Sequence, residues 1–421
     1  MIARLRKSDF ARHGLIVFGG VAVASVFNYL YYMLLGRRVG VEGYGIVTAL
    51  ASTLLVIGAP AVVGQLIAAR LAADLNARND RAALRRLADV MTWWGLGAGA
   101  LVVLAGVIFR QPLASFFNLS DATPVVVTAV ALGLYAIVNL QRGVLQGAHR
   151  FEAFSLSQAI ESLVKVIAGV LLAVALGAAG GLAGIAVGLI IALLFNLFSF
   201  RALFGTTRAP IALDRSLVVR VVSHVGIGWF TLTVLAFYDV PLIKHVFDSR
   251  SAGLYAAASL VGRAVLSAVS FIPTLVMPKA NARIAEGKSP LPLLGAALGI
   301  AALIVAVSIG AAALAPRLLV TLIAGKAFGD AAPLVLLYVV AAGSLALANV
   351  AAAYKMGLHR YDFVAPALAL AVAEVLVIVL WHPTLLAVVT VLAVGHTCVF
   401  ASTLIGITSP VRSPLPAVAL E

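Results

Sequence analysis

Apolar residues in this chain run in blocks of roughly twenty, the length that carries a helix across a hydrocarbon layer. The blocks fall at 14–36, 45–69, 90–109, 124–147, 155–177 and 182–200, then at 218–246, 252–276, 291–315, 332–354, 363–380 and 385–407. Short polar and basic segments separate them. The pattern predicts an all-α polytopic membrane protein with twelve transmembrane helices. The block at 218–246 is longer than the rest and holds Pro241, which predicts a tilt or a break there. Between the second and third blocks, residues 70–89 alternate charges with Leu71, Leu75, Leu84 and Leu87. They read either as an amphipathic helix on the inner surface or as a simple connection.

Composition agrees with the pattern. Of 421 residues, 63% are hydrophobic and 11% charged, whereas soluble domains have about 45–50% apolar and about 25% charged residues. A water-soluble multidomain enzyme is excluded. The net charge of +14 suggests nucleic acid only until the charges are located. With the N-terminus inside, twenty of the thirty Lys and Arg fall in cytoplasmic segments, seven in outer segments, and three (Arg142, Lys165 and Arg263) within spans. The positive-inside rule then puts both termini in the cytoplasm, so the surplus charge encodes topology and not a nucleic-acid partner. The apolar run after Arg12 is too long for a signal peptide and reads as an uncleaved first span.

The chain also repeats. Gly147-Ala148-His149-Arg150-Phe151-Glu152 returns 210 positions later as Gly357-Leu358-His359-Arg360-Tyr361-Asp362, and at the same offset Glu42-Gly43-Tyr44-Gly45 faces Ala252-Gly253-Leu254-Tyr255. Six spans per repeat predict two six-helix lobes, residues 1–205 and 206–421, inserted the same way up about a pseudo-two-fold axis. Such architectures carry substrate between lobes by rocking one against the other.

Candidate chemistry is confined to the spans. The loops are short, with no phosphate-binding glycine motif, no zinc-protease motif and no metal-ligand spacing. Cys398 is the single cysteine, so neither an intrachain disulfide nor a thiolate metal site can form. An ionisable residue inside a span costs about 2.5–3.5 kcal/mol at its centre and marks a functional candidate. Arg263 is the most central cation, on a face shared with Ser259, Ser267 and Ser270; it suits a water-filled cavity or a structural ion pair. Gln158, Glu161 and Lys165 share another face, where Glu161 and Lys165 either neutralise each other or are contested by an anion or a proton. Tyr135, Asn139, Arg142 and Gln146 form a third stripe, with Arg142 either snorkelling to headgroups or lining a cavity mouth. Asp239, just before Pro241, and Glu374, alone in its span, are ion-coupling candidates alongside Glu161. His224 and His396 read as packed polar residues. Asn28 occupies in the first span nearly the place of Asp239 in the seventh and completes the polar lining.

Two segments carry a family resemblance. Leu35-Gly36-Arg37-Arg38-Val39-Gly40-Val41-Glu42-Gly43-Tyr44-Gly45 resembles the first connection of polysaccharide exporters. Tyr238-Asp239-Val240-Pro241-Leu242-Ile243 through Ala252-Gly253-Leu254-Tyr255-Ala256-Ala257-Ala258, ending at Pro278, resembles their seventh and eighth spans. The family is the polysaccharide transporter branch of the multidrug/oligosaccharidyl-lipid/polysaccharide (MOP) superfamily, which includes the Wzx-type O-antigen flippases. The resemblance implies a bacterial inner-membrane protein that moves undecaprenyl-diphosphate-linked oligosaccharide by alternating access. It also implies a driving H⁺ or Na⁺ gradient, no cofactor and no catalysis, and a polysaccharide polymerase complex as a possible partner. By resemblance Arg263 matches the cationic cavity helix and Asp239 the acidic seventh-span position; Arg142 and Lys165 rest on their stripes alone. Two other functions fit less well. A multidrug antiporter of the same superfamily wants an acidic cavity, and here three midspan cations face three carboxylates. A non-transporting scaffold of glycan assembly is the third.

Overall fold

The computed structural model describes residues 2–211 and 226–408, with side chains from residue 22 onward. The basic flank Arg4, Arg6, Lys7 and Arg12, the start of the seventh span with Arg215, Arg220 and His224, and Arg412 are outside the described side chains. Among the described residues all regular structure is helical.

Helices appear where the apolar blocks predict them, with the breaks set by glycine and proline. Helix α1 (Ile2–Ile57) contains the first span and the start of the second, joined across Gly40, whose φ of 70° is open to glycine at little cost. The second span continues through Gly58 into α2 (Ala59–Ala77), with proline in its first turn. The third span lies in α3 (Arg81–Ile108), followed by the short α4 (Arg110–Phe116); the fourth is α5 (Thr123–Gly147). Helix α6 (Phe151–Phe204) carries the fifth and sixth spans, and Gly177 at φ 56° lets the chain double back between them. The seventh is a bent pair, α7 (Ile227–Phe237) and α8 (Asp239–Val246), at 43°. This break falls three residues before Pro241 because proline's missing N–H leaves the Phe237 carbonyl without its helical donor. The eighth span is α9 (Ser249–Val269) with α10 (Phe271–Ala285). After α11 (Leu291–Leu314), the short α12 (Pro316–Ile323) and a 3₁₀ turn at Lys326–Ala331, the last three spans are α13 (Ala332–Gly357), α14 (Val364–Leu380) and α15 (Leu385–Leu404). Large apolar side chains such as Trp93, Leu101, Phe198, Leu314 and Leu380 are exposed, as a lipid-facing surface requires.

Packing gathers the chain into two compact units, Met1–Leu260 with Arg317–Pro333, and Val261–Pro316 with Leu334–Glu421. These units reflect contact density, whereas the lobes at 1–205 and 206–421 are the expectation drawn from the repeat. In the first unit, residues 70–89 form the end of α2, a tight turn and the start of α3, not a separate surface helix. Leu71, Leu84 and Leu87 bury with Met91, Leu145, Phe154, Phe200 and Phe204 in one apolar cluster, because the leucines continue the inward face of each span.

The two copies of the repeated motif end in the same turn. His149 and His359 both adopt a left-handed φ, 56° and 55°. In each copy the His N–H bonds back three residues and the next Arg N–H five, Arg150 to Leu145 at 2.8 Å and Arg360 to Lys355 at 2.9 Å. That is a Schellman stop. In the second copy the buried Lys355 ammonium donates to Asp362 at 2.9 Å and to the Ile405 carbonyl at 2.7 Å, and Arg360 adds a 3.0 Å contact to Asp362. Burial pushes the Asp362 carboxyl up, but Lys355 and Arg360 outweigh it and hold it below the ordinary value. A depressed carboxyl stabilises the fold above its unfolded pKa, about 3.9, and that support fades as pH falls through the lower folded value. Asp362→Asn should therefore lower thermal stability at neutral pH and leave it nearly unchanged in strong acid, checked by unfolding the purified protein across pH.

Candidate functional site

The first unit contains a buried polar cluster built from three helices. Its frame is a glycine crossing: a side chain at Gly184 would overlap Gly169, and one at Gly188 would meet the Glu161 carbonyl and the Lys165 Cβ. The two halves of α6 thus pack backbone to backbone. This holds Ser157, Glu161 and Lys165, spaced by four, towards α1 and α5.

Arg142 on α5 is 6% exposed and does not snorkel. Its Nη2 meets Glu161 Oε2 at 2.7 Å and donates to the Ser157 carbonyl at 2.8 Å, while Nε donates to Ser157 Oγ at 3.0 Å. Glu161 therefore pairs with Arg142 on another helix, where its sequence spacing suggested Lys165. Lys165, 8% exposed, donates to Asn28 Oδ1 on α1 and lies 5.0 Å over the Tyr31 ring. Tyr31 is fixed in turn by a 2.9 Å bond to the Gly181 carbonyl. Among the described residues no carboxylate pairs with Lys165 within 4.0 Å, and the formal charges of Arg142, Lys165 and Glu161 sum to one positive charge in an apolar helix packing. Such a site attracts an anion and can donate charge-assisted hydrogen bonds to it.

The other expected residues divide. Asn139 is buried and donates to the Tyr135 carbonyl on its own helix at 2.8 Å; Gln158 is half-buried one turn before Glu161. Asp239, buried at the bend between α7 and α8, accepts from Tyr255 Oη at 3.0 Å. Along α9 burial decreases from Ser259 (buried) through Arg263 (half-buried) to Ser267 (exposed). Glu374 lies in the second unit with His396, 3.6 Å away. Among the described residues no group of three or more His, Cys, Asp or Glu is placed to hold a metal. Sequence reading missed Ser157, Tyr31 and Tyr255. Ser157 precedes Glu161 by four and Tyr31 follows Asn28 by three, so helical spacing could have found both.

This helical fold is similar to that of solved MOP-superfamily transporters. A solved multidrug resistance MATE family transporter of the MOP superfamily, in an inward-facing conformation, matches with a TM-score of 0.75 at 13% identity, over 91% of this chain and 93% of that one. Its outward-facing counterpart gives a TM-score of 0.59 at 15% identity, over 93% and 92%. A MOP superfamily transporter from Pyrococcus furiosus, described as having a binding pocket of reverse polarity, gives 0.61 at 14% identity, over 94% and 93%. No curated protein matches the chain in sequence. The family model for polysaccharide biosynthesis proteins matches residues 10–278. The chain belongs to that family and is a multi-pass membrane protein.

Proposed function

We propose that this protein is a bacterial inner-membrane flippase that moves lipid-linked oligosaccharide, carried on undecaprenyl diphosphate, by alternating access. The observation that carries this reading is the buried cluster of Arg142, Lys165, Glu161 and Asn28, with its single surplus positive charge, in a member of the polysaccharide biosynthesis family. A diphosphate and its glycan are too polar to cross hydrocarbon unaided. Lys165 and Arg142 supply cations for the diphosphate, and Asn28, Asn139 and Gln158 supply hydrogen bonds to hydroxyls; Arg263 with Ser259 and Ser267 on α9 is a separate candidate stripe. The polyprenyl tail stays in lipid. No covalent bond changes, so the protein needs no catalytic group, and an H⁺ or Na⁺ gradient acting through Asp239, Glu161 or Glu374 drives the cycle. A polysaccharide polymerase complex would use the exported product.

A deletion strain complemented with wild type, Lys165→Ala or Arg263→Ala tests this. Wild type should restore surface polysaccharide and clear lipid-linked glycan trapped on the cytoplasmic face. Loss of one charge-assisted contact to phosphate is worth about 1.5–3 kcal/mol, so Lys165→Ala should cut export about tenfold or more at equal expression. A deletion that leaves both surface glycan and precursor unchanged, in a strain with no second exporter, would overturn the function and favour a drug antiporter.

A further inference from the structure

The inner ends of α3 and α6 bring together two lipid-facing stripes that both end in arginine. Along α3 the exposed residues Arg86, Trp93, Gly97, Leu101, Leu104 and Ile108 are spaced by three, four or seven, which is one helical face. Along the second half of α6, Leu194 and Phe198 are exposed, and Arg201 follows on the same face. The last turns of α6 are fixed to α3, since Phe200 and Phe204 bury with Leu84 and Leu87. Among the described residues Arg86 and Arg201 have neither a hydrogen-bond nor an ion-pair partner for their side chains.

The chain that leaves α6 then runs along α3. The Ala209 N–H donates to the Ala82 carbonyl at 3.2 Å, and Arg208 Nε donates to Asp89 Oδ2. Ala82, Arg86 and Asp89 are spaced by four and three, so they share a face, and Arg86 lies between the two fastenings. Asp89 also pairs with Arg85 Nη2 at 3.0 Å. One carboxylate thus serves two guanidiniums, and Arg86 and Arg201 add two further positive charges with no acid opposite them. Depth is set by Trp93 and Trp94, 71% and 53% exposed, because exposed tryptophan marks the membrane interface. Arg86 is seven residues nearer the start of α3 than Trp93, about 10 Å along the axis. That distance carries it out of the hydrocarbon layer and among the headgroups.

We propose that the inner ends of α3 and α6 form a binding site for an anionic glycerophospholipid of the cytoplasmic leaflet. Its phosphodiester accepts hydrogen bonds from Arg86 and Arg201, with Arg208 beside them, and its acyl chains lie along the apolar stripe past Trp93 and Leu101. Guanidinium suits this ligand because its N–H fork meets two phosphate oxygens at once. Basic sites at the cytoplasmic ends of spans hold acidic headgroups in the same way. A zwitterionic lipid brings its own ammonium and leaves the surplus positive charge uncompensated. The bound headgroup also ties residues 205–209, where the first repeat passes towards the second, to the membrane surface.

The test is native mass spectrometry of the full chain titrated with phosphatidylglycerol, with phosphatidylethanolamine of the same acyl chains as reference. Wild type should bind the anionic lipid more tightly. An arginine near the membrane surface is worth about 1 kcal/mol towards acidic lipid, so Arg86→Gln and Arg201→Gln should each weaken phosphatidylglycerol about fivefold and leave phosphatidylethanolamine unchanged. Arg78→Gln removes an exposed arginine from the turn before α3, off the stripe, and should change binding less than about twofold. Equal binding of the two lipids by wild type overturns the site, and this comparison needs no variant to fold. A loss for Arg78→Gln equal to that for Arg86→Gln also overturns it, since the attraction would then be diffuse. Undecaprenyl phosphate binding more tightly than phosphatidylglycerol, and weakened by the same two variants, overturns it in favour of a substrate entry point. Lipid binding needs no glycan export, so its failure leaves the flippase reading standing, and a deletion strain with unchanged glycan leaves the lipid site standing.

Discussion

Arg142→Ala should abolish glycan export and cost about 3–5 kcal/mol of stability, the penalty for leaving a buried partner uncompensated. The guanidinium serves Glu161 and both oxygens of Ser157, so alanine leaves a carboxylate and a hydroxyl inside the helix packing at once. Loss of export alone would not separate folding from transport. The decisive comparison is Arg142→Met combined with Glu161→Leu, which removes both charges and keeps the volume. Apolar replacement of a buried ion pair is often neutral or stabilising, so the double variant should unfold near the wild-type temperature. It should still fail to export, because the cation is gone. Normal export by a stable double variant would make the Arg142 pair a structural strut and leave Lys165 as the sole cation of the cluster.

Gly253→Val should be a severely damaging substitution outside that cluster. The repeated motifs meet here: a side chain on Gly45 would fall 2.8 Å from the Gly253 nitrogen, and one on Gly253 would overlap the Val41 carbonyl. The obstacle is backbone, which cannot rotate away, so the cost should reach or exceed the about 1–3 kcal/mol of ordinary overpacking. Purified yield and the unfolding midpoint measure it. Gly299→Ala is the matched control: nothing lies within 4 Å of its position, and alanine is favoured over glycine in a helix interior by about 1 kcal/mol. A Gly253→Val protein as stable as the Gly299→Ala control would mean the two helices separate readily at this crossing.

Much of the fold is legible in the sequence because apolar block length is a strong, local signal. Boundaries were harder where a span is assembled from pieces. The run at 45–69 gave no sign that Gly58 divides it between α1 and α2, and Pro241 marked a bend that falls at Tyr238. The site was partly legible. Helical spacing put Glu161 and Lys165 on one face, but a single helix offers only its own neighbours as partners. Arg142 won Glu161 from another helix because α5 packs along the first half of α6 and sets the two side chains 2.7 Å apart. Asn28 lies in register with Asp239 in the repeat, and the structure joins it to Lys165 instead. His396 looked like packing because nothing near it in sequence is charged; its partner Glu374 is 22 positions away on the neighbouring helix.

The twin Schellman turns have a consequence for how the two inner helix ends come apart. The backbone is the same in both, yet the residue that accepts the second hydrogen bond differs. Leu145 buries in an apolar cluster, whereas its counterpart Lys355 is 1% exposed and clasped by Asp362. One fastening is made of surface removed from water, the other of opposite charges. Acid neutralises the second and leaves the first untouched. Amide exchange at Arg360 should therefore accelerate on acidification relative to the chemical rate, while Arg150 keeps its protection, so that a duplicated element opens one end at a time.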